Sequence, residues 1–170
     1  MRAMLFRFAA ALALAALVQA PARAEGLVIA KRLSASLAAE LAMAAVTACA
    51  QKNYHVGVVV LDYSGVQQVA LRGDGAAPQN VLNANDKAYT SVTFKTDTSK
   101  MVEAAEKGSP PSPAVVKLPH LILAPGGVAI MGGAEGKELL GAISVSGVPN
   151  RQGDEVCAKA GLAKIADRLK

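Results

Sequence analysis

The sequence predicts an α+β fold in which helices cover a mainly antiparallel sheet. Three observations carry this. Apolar, β-branched runs come in neighbouring pairs joined by short glycine turns, the pattern of hairpins. Segments with apolar residues at helical spacing stand at both ends of the chain and between the hairpins. Nothing repeats at a fixed period, which excludes solenoids and propellers, and runs of strands alternating with runs of helices define the α+β class.

In chain order, Leu33, Leu37, Leu41, Ala45 and Ala48 recur at helical spacing, predicting a helix over 33–52 with Ser34 or Ser36 as its cap. His55 to Asp62 is apolar and β-branched, a buried strand; Tyr63-Ser64-Gly65 turns the chain into a second strand over 66–72. The next stretch, Leu71 to Phe94, holds a strand end, a turn and a helix that begins near Pro78, with Asn80 or Asn83 as its cap. A shorter helix is expected over 98–107, opened by Asp97 or Thr98 and ended by Gly108. Ser109 to Pro113 reads as a rigid connector. Two short strands are predicted around Pro125-Gly126-Gly127, His120–Ala124 and Val128–Met131, and a fifth over 139–145. A last helix is expected over 154–169.

The chain has 170 residues, a formal charge of +5 and 52% hydrophobic residues, enough for one domain with a real core. Its N-terminus carries Arg2 and Arg7, an apolar run from Ala9 to Val18, and Ala22-Arg23-Ala24. That order predicts a secretory signal peptide over 1–24, with Ala20 as a second cleavage point, and a single domain over 25–170. Periplasmic or secreted localisation follows. The leader holds three of the arginines and no acid, so the remaining domain is near neutral. With aromatics at 4% and no basic stripe, a nucleic-acid role is disfavoured. In an oxidising compartment the two cysteines, Cys49 and Cys157, are expected to form a disulfide rather than remain buried thiols. Gly161, one turn after Cys157, would let the two helices approach closely.

Several motifs fail on inspection. Gly132 to Lys137 lacks the spacing and the hydroxyl of a phosphate loop. No G-x-S-x-G accompanies the serines. Arg72-Gly73-Asp74 is too short a string to carry an adhesion role. The polar residues of the Leu71–Phe94 stretch form a better candidate. Arg72 and Asp74 flank a turn, and Asn83, Lys87 and Thr90 fall on one helical face. Together they could hold a small anion; spacing alone favours a turn salt bridge and a solvated face. His55 and His120 each begin a predicted strand, and imidazole is a good iron ligand. Tyr54, Tyr89 and Met131 are weaker candidates of the same kind.

Taken together, VGVVVLDYSG at 56–65, LRGDGA at 71–76, NDKAYTSVTFKTDTSKM at 85–101, APGGVAIM at 124–131 and ELLGAISVSGVPNRQGDEVCAKAGL at 138–162 resemble the GlcG/HbpS family, which shares its fold with the C-terminal domain of PduO. The resemblance implies a profilin-like α/β/α sandwich over a five-stranded antiparallel sheet, and homo-oligomers from dimers to octamers. It implies binding of haem or a related tetrapyrrole, with links in some members to haem degradation, redox sensing beside a membrane sensor partner, glycolate use or corrinoid metabolism. Arg72, Asp74, Gly75, Lys87, Thr90, Gly126 and Gly127 match its motif positions and are the candidate ligand-binding residues. The helix histidine that ligates haem in some relatives has no counterpart between Leu33 and Lys52, which leaves His120 and His55 as candidate iron ligands. Three functions compete: a haem-binding protein, an enzyme acting on haem, a small carboxylate or a corrinoid at the Arg72/Asp74/Lys87/Thr90 cluster, and a partner-binding module.

Overall fold

Burial pattern decides how the elements stack. A computed structural model of the chain describes residues 26, 29–109, 117–150 and 152–170. The predicted signal peptide over 1–24 and most of the 109–113 connector lie outside them. Lys31–Lys170 forms one unit. Its elements are α1 (Ala35–Ala50), β1 (Gly57–Asp62), β2 (Gln67–Arg72), α2 (Pro78–Phe94), α3 (Thr98–Glu106), β3 (Gly127–Gly132), β4 (Glu138–Ser146), α4 (Gly153–Ala163) and a 3-10 turn at Ala166–Arg168.

The sheet runs β2-β1-β4-β3 and every pairing is antiparallel. β1 is buried along its whole length, so its alternate side chains feed two cores. Val56, Val58 and Val60 join Ile130, Ile143 and Val145 beneath α1 and α4. Val59, Leu61 and Ala142 face the other way, beneath Ala84, Ala88 and Val92 of α2. The result is helix, sheet, helix, with the larger core on the α1/α4 side.

Small residues set the layer spacing. A Cβ on Gly57 would lie 2.6 Å from the backbone of Asn80 and Val81, and one on Gly127 would lie 2.5 Å from the Lys87 carbonyl oxygen. These two glycines let α2 rest directly on the sheet. On the opposite face, a Cβ on Gly161 would meet Ala45 at 2.9 Å. There α1 and α4 touch closely, and one turn further along Cys49 and Cys157 form a disulfide. The bond closes a loop of 108 residues, for which chain entropy gives a stabilisation of about 4–5 kcal/mol.

Caps follow the prediction in part. Ser34 caps α1 through a bond from the Leu37 amide at 3.2 Å. α2 starts at Pro78 after Ala77, with neither asparagine capping it. Asn80 instead donates to the His55 carbonyl. Asp97 precedes α3 but accepts from the Ala129 amide at 3.2 Å, tying α3 to β3.

The expected strand at His120–Ala124 does not form, and the sheet has four strands among the described residues rather than five. His120 takes a positive φ of 64°, incompatible with a strand. The Ile122 amide donates to the Thr90 hydroxyl at 2.9 Å rather than to a neighbouring strand. The segment is thus a strap laid on α2. The last helix is also shorter than predicted, ending at Ala163.

Candidate functional site

The predicted binding residues separate into two groups. Arg72 ends β2 and is exposed, as is Asp74 in the turn that follows. Gly75 has a φ of +73° and passes over the His55 ring, where a Cβ would sit 3.1 Å from Nδ1. His55 Nδ1 lies 2.6 Å from the Asp74 carbonyl oxygen. A carbonyl only accepts, so Nδ1 carries the proton.

Lys87, Thr90, Gly126 and Gly127 form the second group, on the other half of the sheet. Lys87 donates to Asp154 Oδ2 at 2.7 Å and to the Val145 carbonyl at 3.4 Å. Both side chains are nearly buried, at 7% and 10% exposure. Asp154 Oδ1 accepts from the Val148 amide at 2.8 Å. The pair joins α2 to α4 around the sheet end, and Gly126 makes room for it: a Cβ there would meet Val145, Asp154 and Lys87 within 3.1 Å. Its φ of +130° suits glycine alone. Gly127 also exchanges bonds with the buried Thr98 hydroxyl.

Lys87 and Arg72 are therefore not partners. Lys87 lies over β3 and β4, while β2 is the opposite edge strand, two to three strand spacings or about 10–14 Å away. Asn83 is exposed while Lys87 and Thr90 are buried, so the helical face predicted from their spacing is divided. The buried ammonium is neutralised by Asp154 and holds the fold together.

Asp154 was not singled out by sequence reasoning, although an acid in the first turn of a helix after a polar loop is a recognisable signal. Asp86 was missed as well. It lies one turn before Thr90 on α2, where it accepts the Thr90 hydroxyl through its carbonyl at 2.7 Å. Its carboxylate Oδ1 lies 3.2 Å from His120 Nδ1. Tyr89 meets the His120 ring edge to face at a centroid separation of 6.4 Å. His55 thus stands by the N-terminal end of α2 and His120 beside its middle turns, each oriented through Nδ1.

Neither of two concave clefts is lined by the predicted residues. One of about 540 Å3 lies between α1 and α4, beside Met43 and Lys164. One of about 260 Å3 lies between α3 and α4, beside Glu103 and Glu155. There Lys159 pairs with Glu155 and Asp97. The Glu155 hydrogen bond outweighs burial and, with Asp97, holds the Lys159 ammonium above its ordinary range. Among the described residues no group of three or more His, Cys, Asp and Glu could hold a bare metal ion. No helix among them is long and apolar enough to cross a membrane.

A four-stranded antiparallel sheet between helical layers, with two Nδ1-anchored histidines at its surface, defines an α+β protein with ligand-capable imidazoles outside its core. The model of the family described as haem degrading protein HbpS-like matches residues 33–163, and the chain belongs to that family. Solved structures agree. The crystal structure of HbpS is 33% identical, covers 85% of this chain and 97% of its own, and superposes with a TM-score of 0.74. A double mutant of HbpS from Streptomyces reticuli is also 33% identical, covering 88% and 98%, with a TM-score of 0.74. The complex of PduOC with haem is 26% identical, covering 78% and 94%, with a TM-score of 0.69. No curated protein sequence matches the chain.

Proposed function

We propose that the chain is an exported protein that binds haem or a related tetrapyrrole. The observation that carries this is membership of the HbpS-like family over residues 33–163, joined to the likeness to PduOC, a protein solved with haem. The donor chemistry fits: both histidines commit Nδ1 to an acceptor, so each neutral ring has its Nε2 lone pair free for iron. Bound iron would supply ligand exchange and redox chemistry; the chain supplies an imidazole, an apolar rest for the ring and counter-charges for the propionates. The disulfide fits an oxidising compartment and so supports export. Haem degradation, redox sensing beside a membrane partner, and assembly into dimers or larger homo-oligomers belong to the same reading.

Titrating the chain with hemin tests it. A saturable, stoichiometric shift of the Soret band is expected; absence of both shift and saturation overturns it. Adding a reductant to the loaded protein separates storage from degradation, which would bleach the Soret band and release iron. The alternative of an anion-processing cluster at Arg72, Asp74, Lys87 and Thr90 is not favoured, because Lys87 is engaged by Asp154.

A further inference from the structure

We infer that His120 is the iron ligand, that Asp86 is its positioning residue, and that the outer face of α2 is the platform on which the tetrapyrrole ring lies. The inference rests on the haem reading above and assigns that function a place on this chain.

Four observations converge on this face. First, the Asp86 carboxylate accepts from His120 Nδ1, which fixes the ring and leaves Nε2 facing outward from that bond, the arrangement found behind histidines that bind metals. His55 has only a backbone carbonyl in that role. Second, the His120 backbone is held at a positive φ in a strap pinned by the Ile122–Thr90 bond. Strain kept in place by surrounding bonds is a common mark of a functional position. Third, the surroundings are apolar yet uncovered. Leu82 is 68% exposed, Leu118 56% and Tyr89 38%. Leu82 and Tyr89 are two turns apart on one side of α2. The β1–β2 turn extends the strip, since Gly65 packs on the Tyr89 ring and Val66 beside it is 62% exposed. Fourth, Lys117 is exposed three residues before His120, which brings a cation into the same strap; a cation is the partner an anionic propionate takes. A flat, apolar dianion with a metal at its centre suits such a face. At His55 the bonds are polar, from the ring to the Asp74 carbonyl and from the Asn80 side-chain amide to the His55 carbonyl.

Hemin titrations of the wild-type chain and of His120→Ala, Asp86→Asn and His55→Ala, each with its disulfide and circular dichroism intact, test the assignment. His120→Ala should lose the imidazole-ligated spectrum, and added imidazole should restore it. Asp86→Asn should weaken hemin binding about 10–100-fold, as loss of such partners does elsewhere, while His55→Ala should match wild type. Wild-type spectrum and affinity in His120→Ala, or no recovery with imidazole, overturns the assignment. If the wild-type chain itself takes up no hemin, the haem reading falls, whichever residue was named.

Discussion

The two sides of α2 solve different problems with neighbouring residues. The inner side carries Ala84, Lys87, Ala88 and Ser91, all buried, and rests on a sheet made approachable by Gly57 and Gly127. Every polar group named there is engaged: Lys87 by Asp154 and the Val145 carbonyl, Ser91 by the Thr96 carbonyl. The outer side carries Leu82, Asp86 and Tyr89, with His120 held against Asp86 and Tyr89 and its Nε2 uncommitted. Buried polar groups are costly unless satisfied, so the inner side has no spare chemistry. Spare donor capacity and uncovered apolar area both lie on the outer side. Function is sought where the fold has not used up the residues.

This contrast can be broken at graded cost. Asp154→Ala should be the most damaging, because it leaves the Lys87 ammonium buried and unpaired; a loss of about 3–5 kcal/mol is expected in chemical denaturation. Replacing both partners with apolar residues of similar volume should recover much of it, which would show that the pair serves packing.

Asp62→Asn should cost about 1–3 kcal/mol, since a buried carboxylate loses charge-assisted bonds. Asp62 Oδ1 accepts from the Ser64 amide and hydroxyl and the Val66 amide, shaping the turn beside Tyr89. Burial would raise its pKa, but the Ser64 hydroxyl, the Val66 and Ser64 amides and Arg32 together hold it below the ordinary 3.8. A depressed carboxylate contributes stability above its unfolded pKa and loses it as pH falls through the folded value. The wild-type advantage over Asp62→Asn should therefore be full at neutral pH and shrink below about pH 4. An advantage that grows on acidification would contradict the account.

Thr90→Val joins the two sides. It removes the acceptor of the Ile122 amide, and a loss of about 1–2 kcal/mol is expected. Faster hydrogen exchange should be confined to the strap at 118–123, with hemin affinity falling as His120 loosens. Leu82→Ser should change stability by no more than about 0.5 kcal/mol, as for exposed positions, yet weaken hemin binding. A large stability loss there would mean that the outer face is part of the core.

Much of the fold was legible because periodicity reports burial directly. The β1–β2 hairpin, the apolar face of Ala84, Ala88 and Val92 and a serine cap at Ser34 or Ser36 follow from local spacing and composition, while the Cys49–Cys157 bond was expected from an oxidising compartment rather than from spacing. The strap at His120–Ala124 was not legible. Its apolar residues match a strand, and only a distant acceptor, Thr90, decides otherwise. The site suffered for the same reason. Helical spacing grouped Asn83, Lys87 and Thr90 correctly in one dimension, but which of them is buried depends on Gly126, Gly127 and Asp154, far away in sequence. The partner of His120 is likewise on another element.

The most direct test follows backbone amide signals of the 15N-labelled chain as ferric hemin is added in substoichiometric steps. Paramagnetic broadening falls off steeply with distance from the iron. The account predicts early loss of the signals of Asp86, Tyr89, Leu118 and His120, with those of His55, Gly73 and Asp74 preserved. Broadening centred on His55 and the Arg72–Gly75 turn, with the His120 strap untouched, would contradict it.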